Sequence, residues 1–435
     1  MNIAVIGTGY VGLVTGVCLA HIGHDVTCID INEEKIKQLR TGHSPIYEQG
    51  LEELLQTTIH KNNLHFTSSF QNGLTNKEVI FIAVGTPQSD DGSADLSTLY
   101  TVCEEVRKYI HRNTVIVTKS TVPMGTNGQI KTIIEQKTAE NISIQVVSNP
   151  EFLRQGSAVY DTFNADRIVI GSDDKEAIKT MEELYKPYKI PIVKTDLRSA
   201  EMIKYAANAF LAMKISFINE IANLCEQVDA NVDDVAQGIG MDNRIGEHFL
   251  KAGIGYGGSC FPKDMNAIIT LGKRSGYTLS ILEAVKYVNE KQNDWIADKI
   301  LKRFGDLKGK KIAILGLAFK AGTDDMRNAS SIPVVQKIIS AGANITAFDP
   351  VAISNAKHIL PKEVNYTELL EEALDHADCA VILTDWKEIK DYPIHLFKQY
   401  LAHPIIFDGR NCLSLQAVKE CGIEYYSVGR PTIKS

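Results

Sequence analysis

The stretch Ile3-Ala4-Val5-Ile6-Gly7-Thr8-Gly9-Tyr10-Val11-Gly12 decides the fold of this chain. Its apolar half predicts a β-strand, which runs into a Gly-x-Gly-x-x-Gly turn and then into a helical pattern that continues toward His21. The glycines permit a tight turn, close approach of a pyrophosphate and close packing of helix on strand, and the helix N-terminus attracts the phosphate charge. The predicted dinucleotide contacts in this turn are Gly7, Gly9, Tyr10, Val11 and Gly12.

The identity of the cofactor is predicted from the next strand, Asp25–Ile29, which is followed by Asp30. A carboxylate there accepts hydrogen bonds from the adenosine ribose of NAD and repels the 2′-phosphate of NADP. Lys35 follows closely and is expected near the ribose or the phosphates. Thr86 and Thr121 end two later strands, either in plain turns or as the lining of the nicotinamide half, and a Rossmann crevice favours the second interpretation. NAD is therefore the predicted cofactor.

Composition limits the kind of protein this is. The chain has 435 residues, 44% of them hydrophobic and 23% charged, and its net charge of −7 disfavours a nucleic-acid or anionic-membrane partner. No apolar run reaches the roughly 18 residues of a membrane span, and the first residues predict a strand rather than a signal peptide. The eight cysteines show neither CxxC pairs nor zinc-ligand spacing. We expect a cytoplasmic protein with free thiols and no metal.

Strands and helices alternate at both ends of the chain, and a long helix is predicted between them. Short β-branched runs alternate with helical segments in the first part, which is typical of βαβ units and a parallel sheet. From Glu201 to Val228 no Gly or Pro interrupts an apolar pattern of helical spacing, and such a helix usually joins domains or packs in a dimer interface. The strand pattern begins again at Lys311-Ile312-Ala313-Ile314-Leu315-Gly316. We predict an α/β fold of two Rossmann-like domains joined by a helical middle domain, with domains at 1–198, 199–305 and 306–435.

A nucleophile is predicted in the stretch Gly257-Gly258-Ser259-Cys260-Phe261-Pro262-Lys263-Asp264. Pro262 suits a first helical position and Asp264 a first turn, so Cys260 is predicted at the N-terminus of a helix. Unsatisfied backbone N–H groups there favour the thiolate over the thiol. A thiolate beside a nicotinamide captures an aldehyde and lets a second hydride leave, so an alcohol can become an acid at one site. The alternative is a small buried cysteine in a glycine loop.

Other polar groups lie where such a reaction needs them. Lys204 and Asn208 stand four residues apart on the long helix and project from one face, either as a solvated stripe or as donors to an oxyanion. The segment Asn149-Pro150-Glu151-Phe152-Leu153-Arg154-Gln155 follows a strand directly and mixes a carboxylate with a base. Cations in the loop Gly316–Lys320 and at Arg327 suit a diphosphate.

The chain resembles the nucleotide-sugar 6-dehydrogenases of the UDP-glucose/GDP-mannose dehydrogenase family. The resemblance spans nearly the whole chain through GTGYVG, VGTP, STVP, NPEFL, the Lys204/Asn208 helix, GYGGSCFPKD and GLAFK…TDDMR. It implies an NAD domain, a helical middle with a dimer-forming long helix, and a C-terminal domain for the UDP end of the substrate. The implied reaction is the four-electron oxidation of UDP-glucose to UDP-glucuronate with two NAD. The alternatives are another nucleotide sugar, such as GDP-mannose or a UDP-N-acetylhexosamine, and a non-catalytic NAD-binding protein.

Carried over residue by residue, the resemblance implies a set of catalytic roles. Cys260 is the nucleophile, and Lys204 and Asn208 stabilise the oxyanions. Thr121 and Asp264 assist the first deprotonation together with a water. The implied substrate contacts are Glu151, Phe152, Leu153, Arg154, Lys204, Asn208, Arg244, Phe249, Leu250, Lys251, Ala252, Gly253, Gly257 and Lys320. The implied cofactor contacts beyond the first turn are Asp30, Lys35, Thr86, Thr121, Gln155, Lys263 and Arg327.

One residue departs from the family, which usually has a glutamate where this chain has Gln155. An amide keeps the shape and hydrogen bonds of a glutamate but takes no proton. Base catalysis of thioester hydrolysis is therefore assigned to Glu151, the nearest carboxylate in sequence. Arg244 resembles a residue that crosses a dimer interface toward the partner's substrate.

Overall fold

The computed structural model describes residues 1–136 and 142–434. The chain divides into two compact units, one of residues 1–207 and 266–275, the other of residues 208–265 and 276–435. Two helices have residues in both units. The three-domain division at residues 198 and 305 stays a prediction. No helix in the described part of the chain is both long and apolar enough to cross a membrane.

The first unit is built on one eight-stranded sheet. Its strands are β1 Asn2–Ile6, β2 Asp25–Ile29, β3 Leu64–Thr67, β4 Val79–Ile82, β5 Thr114–Thr118, β6 Ile144–Ser148, β7 Ile168–Gly171 and β8 Ile192–Thr195. Their order is β3-β2-β1-β4-β5-β6-β7-β8. All neighbours pair in parallel except β6 and β7, where Ser148 pairs antiparallel with Gly171. The central strands β4 and β5 are buried along their whole length because helices cover both faces of the sheet.

Helices connect these strands in Rossmann fashion. They are α1 Tyr10–His21, α2 Glu33–Arg40, α3 Leu51–His60, α4 Phe70–Leu74, α5 Ser97–Tyr109, α6 Thr126–Glu135, α7 Ala158–Phe163 and α8 Lys175–Tyr185, followed by a 3-10 turn at Lys186–Tyr188. Several begin at a residue whose side chain accepts a backbone hydrogen bond: Asn32 accepts from Lys35, and Asp174 from Ala177.

The middle of the chain is helical. The predicted long helix is confirmed as α9, Leu197–Gln227, and it is followed by α10 Val232–Gly240, α11 Phe261–Arg274 and α12 Ser280–Phe304. Gly305 ends α12 because its positive φ of 73° leaves the helical conformation, which glycine adopts without strain.

The second unit contains a six-stranded, wholly parallel sheet. Its strands are β9 Lys311–Leu315, β10 Asn344–Phe348, β11 Asn365–Thr367, β12 Cys379–Ile382, β13 Ile405–Asp408 and β14 Glu424–Ser427, in the order β11-β10-β9-β12-β13-β14. The remaining helices are α13 Ser331–Ser340, α14 Ile353–Ile359, α15 Leu370–Leu374, α16 Lys387–Lys390, α17 Ile394–Tyr400 and α18 Leu415–Glu420. Ile296 and Ile300 of α12 are buried in the core of this sheet. The predicted α/β class with two Rossmann-like sheets and a helical middle is confirmed.

Candidate active site

The turn after β1 has the geometry that a dinucleotide needs. Gly7 has a φ of +96°, and a Cβ there would stand 2.6 Å from the Ala83 carbonyl oxygen. A Cβ on Gly12 would overlap the Gly7 carbonyl oxygen, whereas one on Gly9 would meet no atom within 4 Å. Gly7 and Gly12 are thus needed for the protein's own packing, and Gly9 leaves open space above the N-terminus of α1. That space is where a pyrophosphate approaches in this motif.

Asp30 is held as an anion at the end of β2. Its Oδ2 accepts hydrogen bonds from the Thr8 N–H at 3.0 Å and the Thr8 hydroxyl at 2.6 Å, and its Oδ1 accepts from the Asn32 N–H at 3.0 Å. Lys35 Nζ lies 3.4 Å from Oδ2. Burial alone raises the pKa of Asp30, but the hydrogen bonds and the charge of Lys35 outweigh it and lower this pKa below its ordinary value. An ionised acceptor at this position fits the ribose of NAD.

Two strand ends further along the first sheet are tied to each other. The Thr86 hydroxyl donates to the Thr121 carbonyl at 2.9 Å, and the Ser120 hydroxyl donates to the Val84 carbonyl at 2.6 Å. These bonds fix the Thr86 and Thr121 loops at the carboxyl edge of β4 and β5, where open α/β sheets bind their ligands.

Glu151 and Lys204 form a buried ion pair in the first unit. Lys204 Nζ lies 3.3 Å from Glu151 Oε1, and the two side chains are only 4% and 6% exposed. The other carboxylate oxygen accepts the Leu153 N–H at 2.6 Å. The Phe152 ring packs against both Lys204, at 5.2 Å, and Arg167, at 3.9 Å. A pair this deeply buried adds little net stability, because the cost of removing both charges from water offsets their attraction.

The rest of the Asn149–Gln155 segment is anchored within the first unit. Arg154 is bound by Asp161 through Nη2–Oδ1 at 2.6 Å and Nε–Oδ2 at 3.0 Å, so its charge is already matched. Gln155 is followed by Gly156, whose N–H donates to the buried carboxylate of Glu48 at 2.8 Å.

Lys119 is a site residue that the sequence analysis missed. Its Nζ donates to Asn149 Oδ1 at 3.1 Å, and the Tyr185 hydroxyl donates to the same oxygen at 2.5 Å. Burial lowers the pKa of Lys119 to about 8, opposed by the charge of Glu151 and reinforced by that of Lys204. The available signal was its position one residue after β5, next to the Ser-Thr-Val-Pro turn.

Cys260 lies in the second unit and directly precedes α11, as predicted. Its carbonyl accepts the Asp264 N–H at 2.9 Å, which makes it the residue that caps the helix. Cys260 is partly exposed, and Ser259 Oγ lies 3.6 Å from its Sγ. Asp264 is 2% exposed and accepts from Asn208 Nδ2 at 2.7 Å and from Lys263 Nζ at 2.5 Å. The structure thus joins Asp264, Asn208 and Lys263 beside the thiol-bearing residue.

The loop before Cys260 contains residues of two kinds. Leu250 and Ala252 are buried with their side chains in an apolar cluster of the second unit, so only their backbone can face a ligand. Phe249 has a φ of +65° and packs against Phe261 with ring centroids 6.4 Å apart. A Cβ on Gly257 would overlap the Asn328 carbonyl oxygen, so this position requires glycine.

Each candidate cation of the second unit has an acidic or aromatic neighbour. These are Asp242 for Arg244 (2.6 Å), Asp385 for Lys251 (3.1 Å), Asp325 for Arg327 (2.6 Å) and the Phe319 ring for Lys320 (5.8 Å). The Arg244 side chain is 88% exposed.

Arg410 is a second residue that the sequence analysis missed. Its guanidinium donates to three carbonyls of three loops: Leu383 at 2.7 Å, Phe319 at 3.1 Å and Gly255 at 3.3 Å. It therefore ties the Gly316–Lys320 loop to the loop before Cys260, within the second unit. No local motif marks this role, because all three partners are distant in sequence.

The three domain models of one family match this chain in order. They are the NAD binding domain over residues 1–189, the central domain over 198–291 and the UDP binding domain over 313–415. The chain belongs to the UDP-glucose/GDP-mannose dehydrogenase family. This family membership confirms the predicted resemblance, and NAD is confirmed as the cofactor, since the open Gly9 turn and the ionised Asp30 fit it.

Relatives in this family are similar over their whole length. UDP-glucose 6-dehydrogenase YwqF of Bacillus subtilis is 54% identical, covering 100% of this chain and 98% of the relative, and TuaD of the same organism is 48% identical, covering 100% and 94%. Among solved structures, the UDP-glucose dehydrogenase of Pyrobaculum islandicum is 37% identical with a TM-score of 0.92, covering 99% of this chain and 98% of its own. The UDP-D-ManNAc dehydrogenase of Pyrococcus horikoshii is 29% identical with a TM-score of 0.87, covering 99% of both chains.

Proposed function

We propose that this protein oxidises UDP-glucose to UDP-glucuronate, with two NAD and one water consumed per substrate. The observation that carries the proposal is Cys260 at the start of α11, beside the buried Asp264–Asn208 pair, in a chain that also contains the NAD turn. A non-catalytic NAD-binding protein has no need for this combination. NAD, when bound, accepts one hydride in each of the two oxidation steps.

The proposed role of Cys260 is to hold the substrate between those steps. The C6 hydroxyl first loses its proton and a hydride to give an aldehyde, to which the thiolate adds through a C–S bond. Loss of a second hydride from carbon, together with the hydroxyl proton, converts this thiohemiacetal into a thioester. Water then attacks the carbonyl carbon, the C–S bond breaks, and the carboxylate leaves while Cys260 regains its thiolate. The helix N-terminus supports the thiolate at the start and at the end of this cycle.

The buried polar groups are proposed to stabilise the charged intermediates. Lys204 and Asn208 lie one turn apart on α9, so both can donate to the oxyanion that forms at C6. Asp264 accepts hydrogen bonds from Asn208 and Lys263. Together with Thr121, it is proposed to orient the water that takes the first proton.

Glu151 is proposed as the base of thioester hydrolysis. Its Oε1 lies 3.3 Å from Lys204 Nζ and its Oε2 accepts the Leu153 N–H at 2.6 Å, so the carboxyl group is held in place beside the proposed oxyanion donor. Gln155 supports this assignment, because its amide cannot accept a proton where the family usually has a glutamate.

UDP-glucose is favoured over the other nucleotide sugars by the pattern of similarity. The curated relatives at 41% to 54% identity are named UDP-glucose 6-dehydrogenases. Solved dehydrogenases of N-acetylated or GDP-linked sugars are 24% to 29% identical. The C-terminal sheet is proposed to bind the UDP end, with Lys320 reaching the substrate and Lys263 and Arg327 contacting the cofactor.

A homodimer through α9 is proposed as the working form. Phe210, Phe217 and Leu224 follow each other at seven-residue spacing on this helix, and they are 58%, 50% and 56% exposed. A stripe of this period is typical of helices that pair with another helix. Arg244 is proposed to reach the partner's substrate. We place the protein in the cytoplasm, where its eight free cysteines stay reduced.

The test is the stoichiometry of NADH release from UDP-glucose. Wild type should release two NADH per UDP-glucose without free aldehyde, and Cys260→Ala should stop acid production. Cys421→Ala is the matched control, because Cys421 is also partly exposed and lies in no proposed site. A Cys260→Ala enzyme that makes UDP-glucuronate at the wild-type rate would refute the covalent route. Turnover of GDP-mannose or a UDP-N-acetylhexosamine in preference to UDP-glucose would refute the substrate.

A further inference from the structure

The glycine-rich loop that leads to Cys260 is bound on its backbone by side-chain amides. The Gly253 N–H donates to Asn219 Oδ1 at 2.8 Å, and the Gly253 carbonyl accepts from Gln292 Nε2 at 2.8 Å. Three residues later, the Tyr256 N–H donates to Asn289 Oδ1 at 2.8 Å and the Tyr256 carbonyl accepts from Asn289 Nδ2 at 3.1 Å. Both backbone groups of both residues are therefore paired with amides. We call Asn219, Asn289 and Gln292 the amide clamp.

The three amide side chains of the clamp are buried, so each needs a hydrogen-bonding partner within the protein. Asn219 is 0%, Gln292 1% and Asn289 7% exposed, and an amide buried without hydrogen bonds is strongly unfavourable. Asn219 lies on α9, while Asn289 and Gln292 lie one turn apart on α12. The side chain of Asn223 on α9 also donates to Gln292 Oε1 at 2.9 Å, which orients the amide of Gln292.

The loop itself is shaped to accept the clamp. Gly255 has a φ of +93°, and a Cβ there would stand only 2.8 Å from Asn289 Oδ1. Its neighbour Ile254 donates its N–H to the Gly409 carbonyl at 3.0 Å, and the Gly258 N–H donates to the Arg327 carbonyl at 2.9 Å. Hydrogen bonds therefore hold this segment at Gly253, Ile254, Tyr256 and Gly258.

Helix α9 holds the two ends of the segment that contains the nucleophile. Asn219 binds Gly253 at the beginning, and Asn208 binds Asp264 just after Cys260. Asn208 and Asn219 are separated by close to three helical turns, at 3.6 residues per turn, so they lie on the same face of α9. One helix face therefore sets the register of the whole segment.

We propose that the amide clamp positions the Gly253–Tyr256 backbone for the nucleotide sugar without touching the substrate. The inference rests on the proposed function, in which this loop surrounds the substrate. A loop that is ordered before binding loses little conformational freedom when the ligand arrives, so the clamp raises affinity by preorganisation. Its members are positioning residues, and Cys260 and its partners remain the reacting groups.

The test uses shape-conserving variants of the full-length protein. Gln292→Met and Asn289→Leu remove the clamp bonds and keep the side-chain size. Ser216→Ala is the matched control: Ser216 is a buried residue of α9 whose hydroxyl donates to the Val285 carbonyl of α12 at 3.0 Å rather than to the loop. For each protein we would measure the KM for UDP-glucose, the KM for NAD, the thermal midpoint, and the calorimetric affinity for UDP-glucose without NAD.

We expect both clamp variants to raise the KM for UDP-glucose and weaken its calorimetric binding by about tenfold, with the KM for NAD changed less than about twofold. Hydrogen exchange of the Gly253–Gly258 peptide should also become faster. Unchanged UDP-glucose binding, or losses that match Ser216→Ala at an equal drop in thermal midpoint, would overturn the proposal. Failure of the proposed function is distinct from these outcomes, because it appears as absent turnover in the wild type.

Discussion

The turns after β1 and β9 have similar backbone geometry, but their aspartates have different surroundings. Gly7 and Gly316 both have a positive φ, of 96° and 91°, and each donates its N–H at 2.8 Å to the last residue of the neighbouring strand, Ile29 or Phe348. In each sheet an aspartate follows that neighbouring strand and accepts hydrogen bonds from the turn.

The two aspartates differ in how much of their hydrogen-bonding capacity remains available to a ligand. Asp30 retains a side chain that is 12% exposed, beside the open space at Gly9. Asp349 is 1% exposed and accepts from the N–H groups of Leu317, Ala318, Val351 and Ala352 and from the Trp386 indole. Its oxygens are used up by the protein, and Ala318 stands where Gly9 stands in the first turn. The β1 turn thus keeps an acceptor and open space for a dinucleotide, whereas Asp349 stabilises the β9 turn itself and leaves ligand binding in the second unit to other residues.

The largest effect should come from Asp349→Ala. Four backbone N–H groups and the Trp386 indole would lose their acceptor in a buried site, and we expect the second unit to lose about 3 kcal/mol of unfolding free energy. Urea unfolding followed by Trp fluorescence measures this loss. Asp349→Ala should leave the KM for NAD unchanged. If that KM rises while stability stays intact, Asp349 binds a ligand after all and the comparison fails.

Gly9→Ala should separate binding from folding. The added methyl meets no protein atom within 4 Å, so the thermal midpoint should stay near the wild-type value. It occupies the space of the pyrophosphate, so the KM for NAD should rise by roughly 30-fold, or about 2 kcal/mol. Ala318→Gly, the reverse change in the second turn, is the control and should not alter this KM. A wild-type KM in Gly9→Ala would place the cofactor elsewhere.

Asp30→Ala should act on the choice of cofactor. Loss of an ionised acceptor for the ribose should raise the KM for NAD by an amount equivalent to about 1–3 kcal/mol. Loss of its charge should also relax discrimination against NADP. The ratio of kcat/KM for the two cofactors measures both effects, and an unchanged ratio would remove Asp30 from the ribose site.

The sequence predicts the features that are local and misses those that depend on distant contacts. The β1 turn, α9 and the position of Cys260 follow from periodicity and turn chemistry within a few residues. The strands β3 and β8 give no clear pattern, because edge strands are short and half exposed.

The missed site residues share one property, which is that their partners are far away along the chain. Lys119 binds Asn149, and Arg410 binds carbonyls at positions 255, 319 and 383. The sequence alone does not reveal the partner of a lysine or arginine when that partner comes close only after the strands have assembled into a sheet. The clamp residue Gln292 is another case, since an amide on a long helix resembles a surface residue until its burial is known.

The two sheets also differ in the buried cation that follows an equivalent strand, which is Lys119 in the first sheet and Arg410 in the second. Each follows the corresponding strand of its sheet, β5 or β13, and burial lowers the pKa of both. The two side chains respond differently, because a guanidinium stays protonated at any accessible pH whereas an amine does not. The Lys119 ammonium has a pKa of about 8, so it loses its proton in mildly alkaline solution.

The last predicted effect, and the smallest when it is taken one pH unit at a time, is the pH dependence that Lys119 gives to stability. Its pKa is about 8 in the folded protein and about 10.4 when unfolded, so below pH 8 both states carry the charge and the cost of burying it is fully present. Between pH 8 and pH 10 only the unfolded state binds the proton, so Lys119 should add up to about 1.4 kcal/mol of stability per pH unit. Unfolding curves at pH 7, 8, 9 and 10 should show wild type gaining stability relative to Lys119→Met over this window, while Lys119→Arg gains none. If the stabilities of wild type and Lys119→Met change in parallel with pH, Lys119 keeps an ordinary pKa. Lys119 and Arg410 would then both stay charged over this window, and the two units would differ in Asp30 and Asp349 but not in these cations.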